Sequence, residues 1–278
     1  MGEIVTREGV VFGAGGGRDL RCDVYAPAGL AAPAPALLLV HGGGWRGGER
    51  GMMRGYAERL VARGFVCVAS EYRLTPESPW PAQIQDVNTA LRWLVASAAE
   101  LQIDAERIGA VGSSAGAHLV LLAAGAYGVA EFDRTDGVRT ERNPIKAVCG
   151  IYPPTLFFVG EERSHGGTPA RALLGEGATE AQARAAGPVT YVTPDYPPTL
   201  LLHGTADKVV PPSASLVMYD ALAKAGVPVE LHMYAEQPHG FARDPQFIDQ
   251  CSAEIGHFMR RYLTGTASAR LEAQAAAV

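Results

Sequence analysis

Short apolar segments alternate along this chain with longer segments in which apolar residues recur at helical spacing. The apolar segments, such as ALLLV at 36–40 and RIGAVG at 107–112, are short and apolar throughout, which is typical of strands buried on both faces. Strands that alternate with helices indicate a mostly parallel sheet with helices packed on both of its faces. Chemistry in such sheets gathers at the carboxyl ends of the strands, so the residues that follow each strand are the candidates for a site.

The same alternation predicts the individual elements. A hairpin is expected first, around the glycine-rich turn at 13–17. Further strands are predicted at 36–40, 65–72, 107–112, 145–152, 198–204 and 227–234. Helices are predicted at 50–64, 81–101, 114–128, 212–226 and 244–263, the last with Asp244 as N-cap and Pro245 at its first position.

Two segments interrupt this rhythm. Residues 130–143 are polar and are expected to form a surface loop. Residues 153–196 contain short helical runs with many Gly and Pro, and they could form a small lid over a site or a plain connection.

Composition limits the class of protein. The net charge of −5 argues against a nucleic-acid partner, which would need a basic face. No stretch reaches the roughly 18 apolar residues of a membrane span, and residues 1–10 lack the pattern of a signal peptide, so a cytoplasmic location is expected. The four cysteines are expected to be buried small hydrophobic residues, and no Cys/His cluster suggests a metal.

One serine lies in a predicted sharp turn between the strand 107–112 and the next helix. The segment 112–116, GSSAG, fits G-x-S-x-G, in which a tight turn projects the serine hydroxyl above the sheet. Glycines are expected at both ends of this turn because side chains there would collide with the neighbouring strand and helix. Ser114 also lies at a helix N-terminus, which favours developing negative charge. The pattern predicts Ser114 as the nucleophile and excludes Ser113, which is out of frame with the glycines.

A serine hydroxyl needs an adjacent base, and one of the seven histidines is well placed to act as one. His239 follows the predicted strand 227–234 and precedes the last helix, so it lies on a loop where it can reach Ser114. The other histidines considered lie within a helix, a strand or the irregular segment: His118, His165, His232 and His257. His239 is therefore the predicted general base.

The base in turn needs a carboxylate that orients it and stabilises its cation. Asp207 follows the predicted strand 198–204 by three positions, at the same edge of the sheet. Asp86, on the helix 81–101, precedes the serine in the chain and is expected to be structural, whereas Asp195 precedes its strand and falls at the opposite edge. Asp207 is therefore the predicted acid.

A glycine-rich turn follows the predicted strand 36–40. Its sequence, HGGGW at 41–45, lets the backbone approach a substrate and point N–H groups at an oxyanion. The residue directly after the nucleophile, Ala115, would supply another N–H group. By itself this glycine-rich segment could be a plain tight turn or a phosphate-binding loop. Together with the serine turn at 112–116, it predicts an oxyanion hole.

Taken together, these motifs resemble the hormone-sensitive-lipase-like branch of the α/β-hydrolases over about residues 20–264. The resemblance rests on HGGGW at 41–45, SEYRLTPESPWPAQIQDV at 70–87, GSSAGAH at 112–118, HGTADKVVP at 203–211 and QPHGF at 237–241. The chain order serine, aspartate, histidine is also that of α/β-hydrolases.

The resemblance implies an α/β-hydrolase fold with a mostly parallel eight-stranded sheet, helices on both faces and at most a small cap. It implies one domain over 1–264, with 153–196 as a possible small lid, and a C-terminal tail over 265–278. Carried over by motif, the triad is Ser114, Asp207 and His239, and the oxyanion donors are Gly43, Gly44 and Ala115. Trp45 would line the pocket or pack under the loop, and Tyr72 and Arg73 would belong to the scaffold.

The function implied is hydrolysis of a carboxylic ester through an acyl-enzyme, on short-chain acyl or aryl esters. The resemblance implies a small-molecule ester substrate, no cofactor and a possible homodimer. Two alternatives stay open at this point. The same triad would serve an arylformamidase-type amide hydrolase, and a non-catalytic ligand-binding homologue is a further alternative, against which the presence of His239 argues.

Two departures from that branch point to its compact members. The branch most often has GDSAG at the serine turn, whereas this chain has Ser113 in place of the acid. Only 40 residues precede HGGG, fewer than in members with a full helical cap. Both features resemble compact esterases grouped with feruloyl and acetyl-xylan esterases, or bacterial arylformamidases, and they predict an open site for modest acyl groups.

Overall fold

The computed structural model describes residues 2–133, 142–159, 168–169 and 171–265. Ten strands lie within these ranges: β1 (Ile4–Gly15), β2 (Arg18–Pro27), β3 (Ala34–Val40), β4 (Val66–Ser70), β5 (Ile103–Ser113), β6 (Ile145–Ile151), β7 (Phe157–Phe158), β8 (Thr168–Pro169), β9 (Thr199–Gly204) and β10 (Val229–Tyr234). The α-helices in the same ranges are α1 (Arg54–Val61), α2 (Ala82–Ala96), α3 (Ala98–Leu101), α4 (Ala115–Gly125), α5 (Arg171–Leu174), α6 (Glu180–Ala186), α7 (Ser213–Lys224) and α8 (Pro245–Leu263).

Eight of these strands form one sheet in the order β1-β2-β4-β3-β5-β6-β9-β10. The pairs β1-β2 and β2-β4 are antiparallel, and every pair from β4 to β10 is parallel. The prediction of a mostly parallel eight-stranded sheet is therefore confirmed. Since the parallel strands all end at one edge, the loops that carry the candidate site residues meet there.

The core lies on both faces of this sheet because alternate residues of a strand point to opposite sides. In β3, Leu38 and Val40 pack with α2, α4 and α7, while Leu37 and Leu39 pack with α1 and α8 on the other face. All four residues are fully buried. This double burial explains why the strand reads as one continuous apolar run in the sequence.

Several element boundaries differ from the sequence prediction, and three of these differences change the element itself. The helix predicted at 81–101 is divided at Ser97 into α2 and α3, and it ends where Gln102 adopts a left-handed conformation with φ of 53°. The strand predicted at 107–112 extends over Ile103–Ser113. The helix predicted at 50–64 begins as a 3₁₀ turn over Arg50–Met53. At α8 the predicted N-cap is confirmed, since the Asp244 side chain accepts the N–H of Gln246.

The two irregular segments are described only in part. Residues 134–141 of the expected surface loop lie outside the described residues, as do 160–167 and 170 of the possible lid. The described remainder of 153–196 contains the short pair β7-β8, the helices α5 and α6 and a 3₁₀ turn over Pro188–Tyr191. The tail beyond residue 265 also lies outside the described residues.

All four cysteines are buried and free, as expected for small core residues. In the described part of the chain, no helix is both long enough and apolar enough to cross a membrane.

Candidate active site

Ser114 occupies a strained turn between β5 and α4. Its φ of 52° and ψ of −118° place a non-glycine residue where L-amino acids are rare, and its N–H is held by the carbonyl of Ile151 at 2.8 Å. A Cβ atom on Gly112 would lie 2.3 Å from the carbonyl oxygen of Gly116, and one on Gly116 would lie 2.2 Å from that of Val40. The two glycines are therefore required for the close approach of strand and helix, as the sequence pattern predicts.

The two adjacent serines have different environments. Ser114 lines a cavity, and its hydroxyl hydrogen-bonds to His239. Ser113 is the last residue of β5, is 4% exposed, and has its Oγ 4.0 Å from Sδ of Met53. Ser113 also lines the cavity, but its Oγ makes no hydrogen bond with His239.

A continuous chain of hydrogen bonds joins Ser114, His239 and Asp207. His239 Nε2 lies 2.9 Å from Ser114 Oγ, and His239 Nδ1 lies 2.6 Å from Asp207 Oδ2. A carboxylate oxygen can only accept here, so Nδ1 carries the proton and Nε2 can accept the serine proton. The structure therefore brings together three residues that the sequence placed 93 and 32 positions apart.

The Asp207 carboxylate is fully buried and is surrounded by donors. Its Oδ1 accepts the backbone N–H groups of Val209 and Val210 at 2.8 and 2.9 Å, and its Oδ2 lies 3.3 Å from Nε2 of His203. Burial alone raises the pKa of Asp207, but the hydrogen bonds from His203, His239 and Val210 outweigh it and hold that pKa below its ordinary value. Asp207 is thus a stable anion against Nδ1 of His239.

His203 is a contributor to this site that the sequence reasoning missed. Its Nε2 faces two acceptors, the carbonyl of Val210 at 2.9 Å and Oδ2 of Asp207 at 3.3 Å, so Nε2 carries the proton. Its Nδ1 lies 2.7 Å from Ser215 Oγ and can accept that hydroxyl. The available signal was its position at the end of a predicted strand, four residues before Asp207.

The glycine-rich loop after β3 faces Ser114 from the other side. Gly43 and Gly44 line the same cavity as Ser114, with φ of 118° and 60°. The carbonyl of Gly43 accepts the N–H groups of Arg46 and Gly47, which closes the loop into a turn. Within the described ranges, no acceptor bonds to the backbone N–H of Gly43, Gly44 or Ala115. These three N–H groups are available to an oxygen atom beside Ser114.

Trp45 lies beneath this loop and does not line the cavity. Its side chain is 3% exposed, its Nε1 donates to Nδ1 of His118 at 3.2 Å, and its ring packs against Phe157. His118 in turn donates from Nε2 to the carbonyl of Ala186 at 2.8 Å. Of the two positions foreseen for Trp45, the structure has the one under the loop, which ties the loop to α4 and α6.

Burial lowers the pKa of His118 to about 4, and the carbonyl of Ala186 offsets this only in part. The imidazole is therefore uncharged at neutral pH, as the two hydrogen bonds of its ring nitrogens require. The His118 imidazole supports the loop and makes no hydrogen bond with the Ser114 side chain.

The residues expected in the scaffold have that role. Tyr72 stacks on the His41 ring at 4.4 Å and donates its hydroxyl to the carbonyl of His41. Arg73 donates from its backbone N–H and its guanidinium to the buried carboxylate of Asp86. Asp86 is thus committed to Arg73 and takes no part at Ser114.

The remaining histidines lie elsewhere. His232, on β10, lies beside Glu230 of the same strand and Glu254 of α8, and His257 is exposed on α8. His165 lies outside the described residues. Among the side chains that the structure describes, no group of three or more His, Cys, Asp or Glu could hold a metal ion.

A cavity of about 270 Å³ opens in front of Ser114. It is lined by Gly42, Gly43, Gly44, Met52, Ser113, Ser114, Tyr152, Val209, His239, Gly240 and Arg243. Tyr152 follows β6 at the same edge of the sheet, and its ring centroid lies 4.6 Å from that of His239. The sequence reasoning did not single out Tyr152 or Arg243. The position of Tyr152 after a strand was a usable signal, whereas nothing local marked Arg243.

The sheet order, the serine turn and the positions of the loops define an α/β-hydrolase fold. The BD-FAE family model matches residues 22–222, more than half of the chain, and the chain belongs to that family.

Named relatives and solved structures agree with this assignment. The chain is 35% identical over 194 residues to the esterase LipC of Mycobacterium tuberculosis, which covers 64% of this chain and 46% of LipC. It is 32% identical over 235 residues to the esterase LipQ of the same organism, covering 81% of this chain and 54% of LipQ. The chain thus spans about half the length of the curated relatives it matches. Esterase 2 of Thermogutta terrifontis superposes with a TM-score of 0.78 at 26% identity, covering 91% of both chains.

Proposed function

We propose that this chain is a serine carboxylic ester hydrolase that works through an acyl-enzyme. The observation that carries the proposal is the hydrogen-bonded series Ser114–His239–Asp207, which ends at a cavity lined by Gly43 and Gly44. Relatives named as esterases support the proposal.

In the first step, His239 Nε2 takes the proton of Ser114 as its Oγ attacks the ester carbonyl. The negative charge that forms on the carbonyl oxygen is met by the N–H groups of Gly43, Gly44 and Ala115. The imidazolium of His239 is stabilised by Asp207, whose buried anion accepts from Nδ1 at 2.6 Å. His239 then gives its proton to the leaving alcohol oxygen, and the acyl group remains on Ser114.

In the second step, water enters the position of the departed alcohol. His239 removes a proton from this water, which attacks the acyl carbonyl with the same N–H groups around the oxyanion. Collapse of the intermediate returns the proton to Ser114 and releases the acid.

Substrates with short acyl groups fit this site best. The cavity of about 270 Å³ is slightly smaller than the usual range for small-molecule sites. Solved structures of the Thermogutta terrifontis esterase carry propionate or butyrate, which are acids of that size. We therefore assign acetyl to butyryl esters to this chain.

We treat residues 1–264 as one domain that includes the segment 153–196, for which a small lid stays a prediction from the sequence. The contacts of Phe157 with Trp45 and of Ala186 with His118 support this, because they attach the segment to the oxyanion loop and the nucleophile's helix. A homodimer and a cytoplasmic location stay predictions from the sequence.

Hydrolysis of p-nitrophenyl acetate, butyrate and decanoate by wild type, Ser114→Ala and Ser113→Ala tests the proposal. We expect wild type to prefer the two shorter esters and Ser114→Ala to lose about 10⁶ in kcat. Ser113→Ala is the matched control, since it removes a neighbouring buried hydroxyl, and we expect it to stay within tenfold of wild type.

Other outcomes would redirect the assignment. If wild type is as inert as Ser114→Ala on esters but hydrolyses aryl formamides, the amide hydrolase is the function. If neither class reacts and paraoxon leaves no diethylphosphoryl group on Ser114, a binding role replaces catalysis. The paraoxon probe is suitable because the Thermogutta terrifontis esterase has been crystallised after phosphorylation by it.

A further inference from the structure

The cavity in front of Ser114 contains one permanently charged side chain, that of Arg243. The other lining residues, all named above, are glycines, apolar or neutral polar residues and His239, and none is a carboxylate. Arg243 ends the 3₁₀ turn Phe241–Arg243, which follows His239 after a single residue. Its place in the cavity is therefore set by the same loop that carries the proposed base.

The guanidinium of Arg243 lies close to that base. A Cβ atom built on Gly240 would be 3.3 Å from Arg243 Nη2 and 4.0 Å from its Nε, so the guanidinium lies over the backbone of the residue next to His239. The positive charge is thus on the side of the cavity where His239 exchanges protons with the reacting oxygen.

No described acidic side chain forms an ion pair or hydrogen bond with Arg243. Two other arginines near this edge of the sheet are paired with carboxylates. Arg50 pairs with Asp23 and Glu71, and Arg73 pairs with Asp86. Arg243 is exposed, so its charge remains available to a molecule that enters the cavity.

We propose that Arg243 is a specificity-determining residue that binds a carboxylate of the ester substrate. This inference rests on the proposed ester hydrolysis and names its substrate class: short esters that carry a free carboxylate a few bonds from the scissile carbonyl. Arginine suits this role because its planar fork of N–H donors matches a carboxylate in a bidentate geometry. The carboxylate belongs to either the alcohol or the acyl part of the ester.

Matched ester pairs separate the two parts of the substrate. For the alcohol part, the acetate of a p-nitrophenol bearing a ring carboxylate is compared with its methyl ester. For the acyl part, p-nitrophenyl hydrogen glutarate is compared with p-nitrophenyl valerate. The readout is the ratio of kcat/KM for the anionic ester to kcat/KM for the neutral one, which cancels any general loss of active enzyme.

We expect Arg243→Gln to lower this ratio about tenfold for one of the pairs, because a hydrogen bond to a charged group near solvent is at the lower end of its range. Arg243→Lys should restore part of the ratio, and added salt should lower it in wild type. Lys146→Gln is the charge-matched control. Lys146 lies at the start of β6, beside Glu106, whereas the cavity lies past the end of that strand. Its substitution removes one positive charge and should leave the ratio as in wild type.

The results distinguish failure of this inference from failure of the proposed function. If wild type hydrolyses the neutral esters and Arg243→Gln leaves both ratios unchanged, Arg243 does not select substrates and the inference is overturned. If wild type hydrolyses none of the four esters, ester hydrolysis itself is the assignment that fails. A loss of the ratio for the alcohol pair or for the acyl pair supports the inference and locates the carboxylate.

Discussion

The two sides of Ser114 are held by different kinds of interaction. On the side of the oxyanion loop, Gly43 and Gly44 are positioned by backbone conformation, and Trp45 anchors them through uncharged aromatic contacts with His118. On the side of the base, His239 is positioned by a buried anion, Asp207, that accepts from two backbone N–H groups and lies beside His203.

This difference indicates how each side should fail. On the side of the oxyanion loop, a substitution that collides with the backbone should displace the N–H donors of Gly43 and Gly44. The buried, uncharged imidazole of His118 should stop supporting this loop when acid protonates it. On the side of the base, the Asp207 carboxylate has several hydrogen-bond donors. A substitution that removes one of them leaves the others in place, so its effect on kcat should be partial.

Of the substitutions that test this contrast, Gly43→Ala should have the largest effect. Its Cβ atom would lie 2.1 Å from the carbonyl oxygen of Gly47, so the loop must shift and its N–H groups leave the oxyanion. We expect kcat to fall by about 10²–10³, the usual effect of losing an oxyanion donor. Steady-state kinetics with p-nitrophenyl butyrate measure this.

Gly44→Ala is the matched control for that loss. A Cβ atom on Gly44 would meet nothing within 4 Å, although its φ of 60° makes the change mildly strained. We expect kcat to stay within tenfold. Equal losses in both variants would mean that backbone strain, and not the collision at Gly47, sets the oxyanion geometry.

Acid should lower the free energy of unfolding through His118, on the side of the oxyanion loop. The pKa of His118 is about 4 in the folded chain and about 6.5 when unfolded, so between these values the unfolded state binds a proton that the folded state does not. The stability that results from the uncharged ring is therefore present above pH 6.5 and is lost as the pH falls toward 4. The expected loss in the free energy of unfolding is about 3 kcal/mol.

Urea unfolding at several pH values between 7 and 4 measures this loss. His118→Gln can keep both hydrogen bonds without titrating, so its stability should fall less steeply than that of wild type. His257→Gln, on the exposed face of α8, controls for the removal of a histidine as such. Parallel curves for wild type and His118→Gln would contradict the prediction.

The base side should respond more gradually, and His203 tests it. His203→Leu removes one donor from Asp207 while the N–H groups of Val209 and Val210 remain, so we expect kcat to fall about tenfold with KM unchanged. His203→Gln can restore a donor and should recover part of kcat. Ser215→Ala, which removes only the partner of His203 Nδ1, should cost less than His203→Leu.

A change in KM without a change in kcat would assign His203 to substrate binding instead. If kcat of His203→Leu falls as far as that of Gly43→Ala, the two sides of Ser114 do not differ in the way proposed.

Much of the fold followed from local sequence. Continuous apolar runs such as 36–40 predicted strands buried on both faces, and helical spacing predicted the covering helices, because side-chain periodicity is a local property of the backbone. The serine turn was also predicted locally, since the glycines at 112 and 116 are needed for close approach. The division of α2 from α3 at Ser97 was not foreseen, because apolar spacing continues across it.

Sequence by itself determined which side chains could supply a nucleophile, a base, an acid and oxyanion donors, because those roles depend on residue type and on position after a strand. Only the tertiary structure decided that Trp45 lies under the loop against His118, 73 positions away, and that Arg243 enters the cavity. Both depend on how loops from separate strands pack at one edge of the sheet. Contacts between distant segments are set by the packing of the whole core, and they leave no periodic trace in the chain.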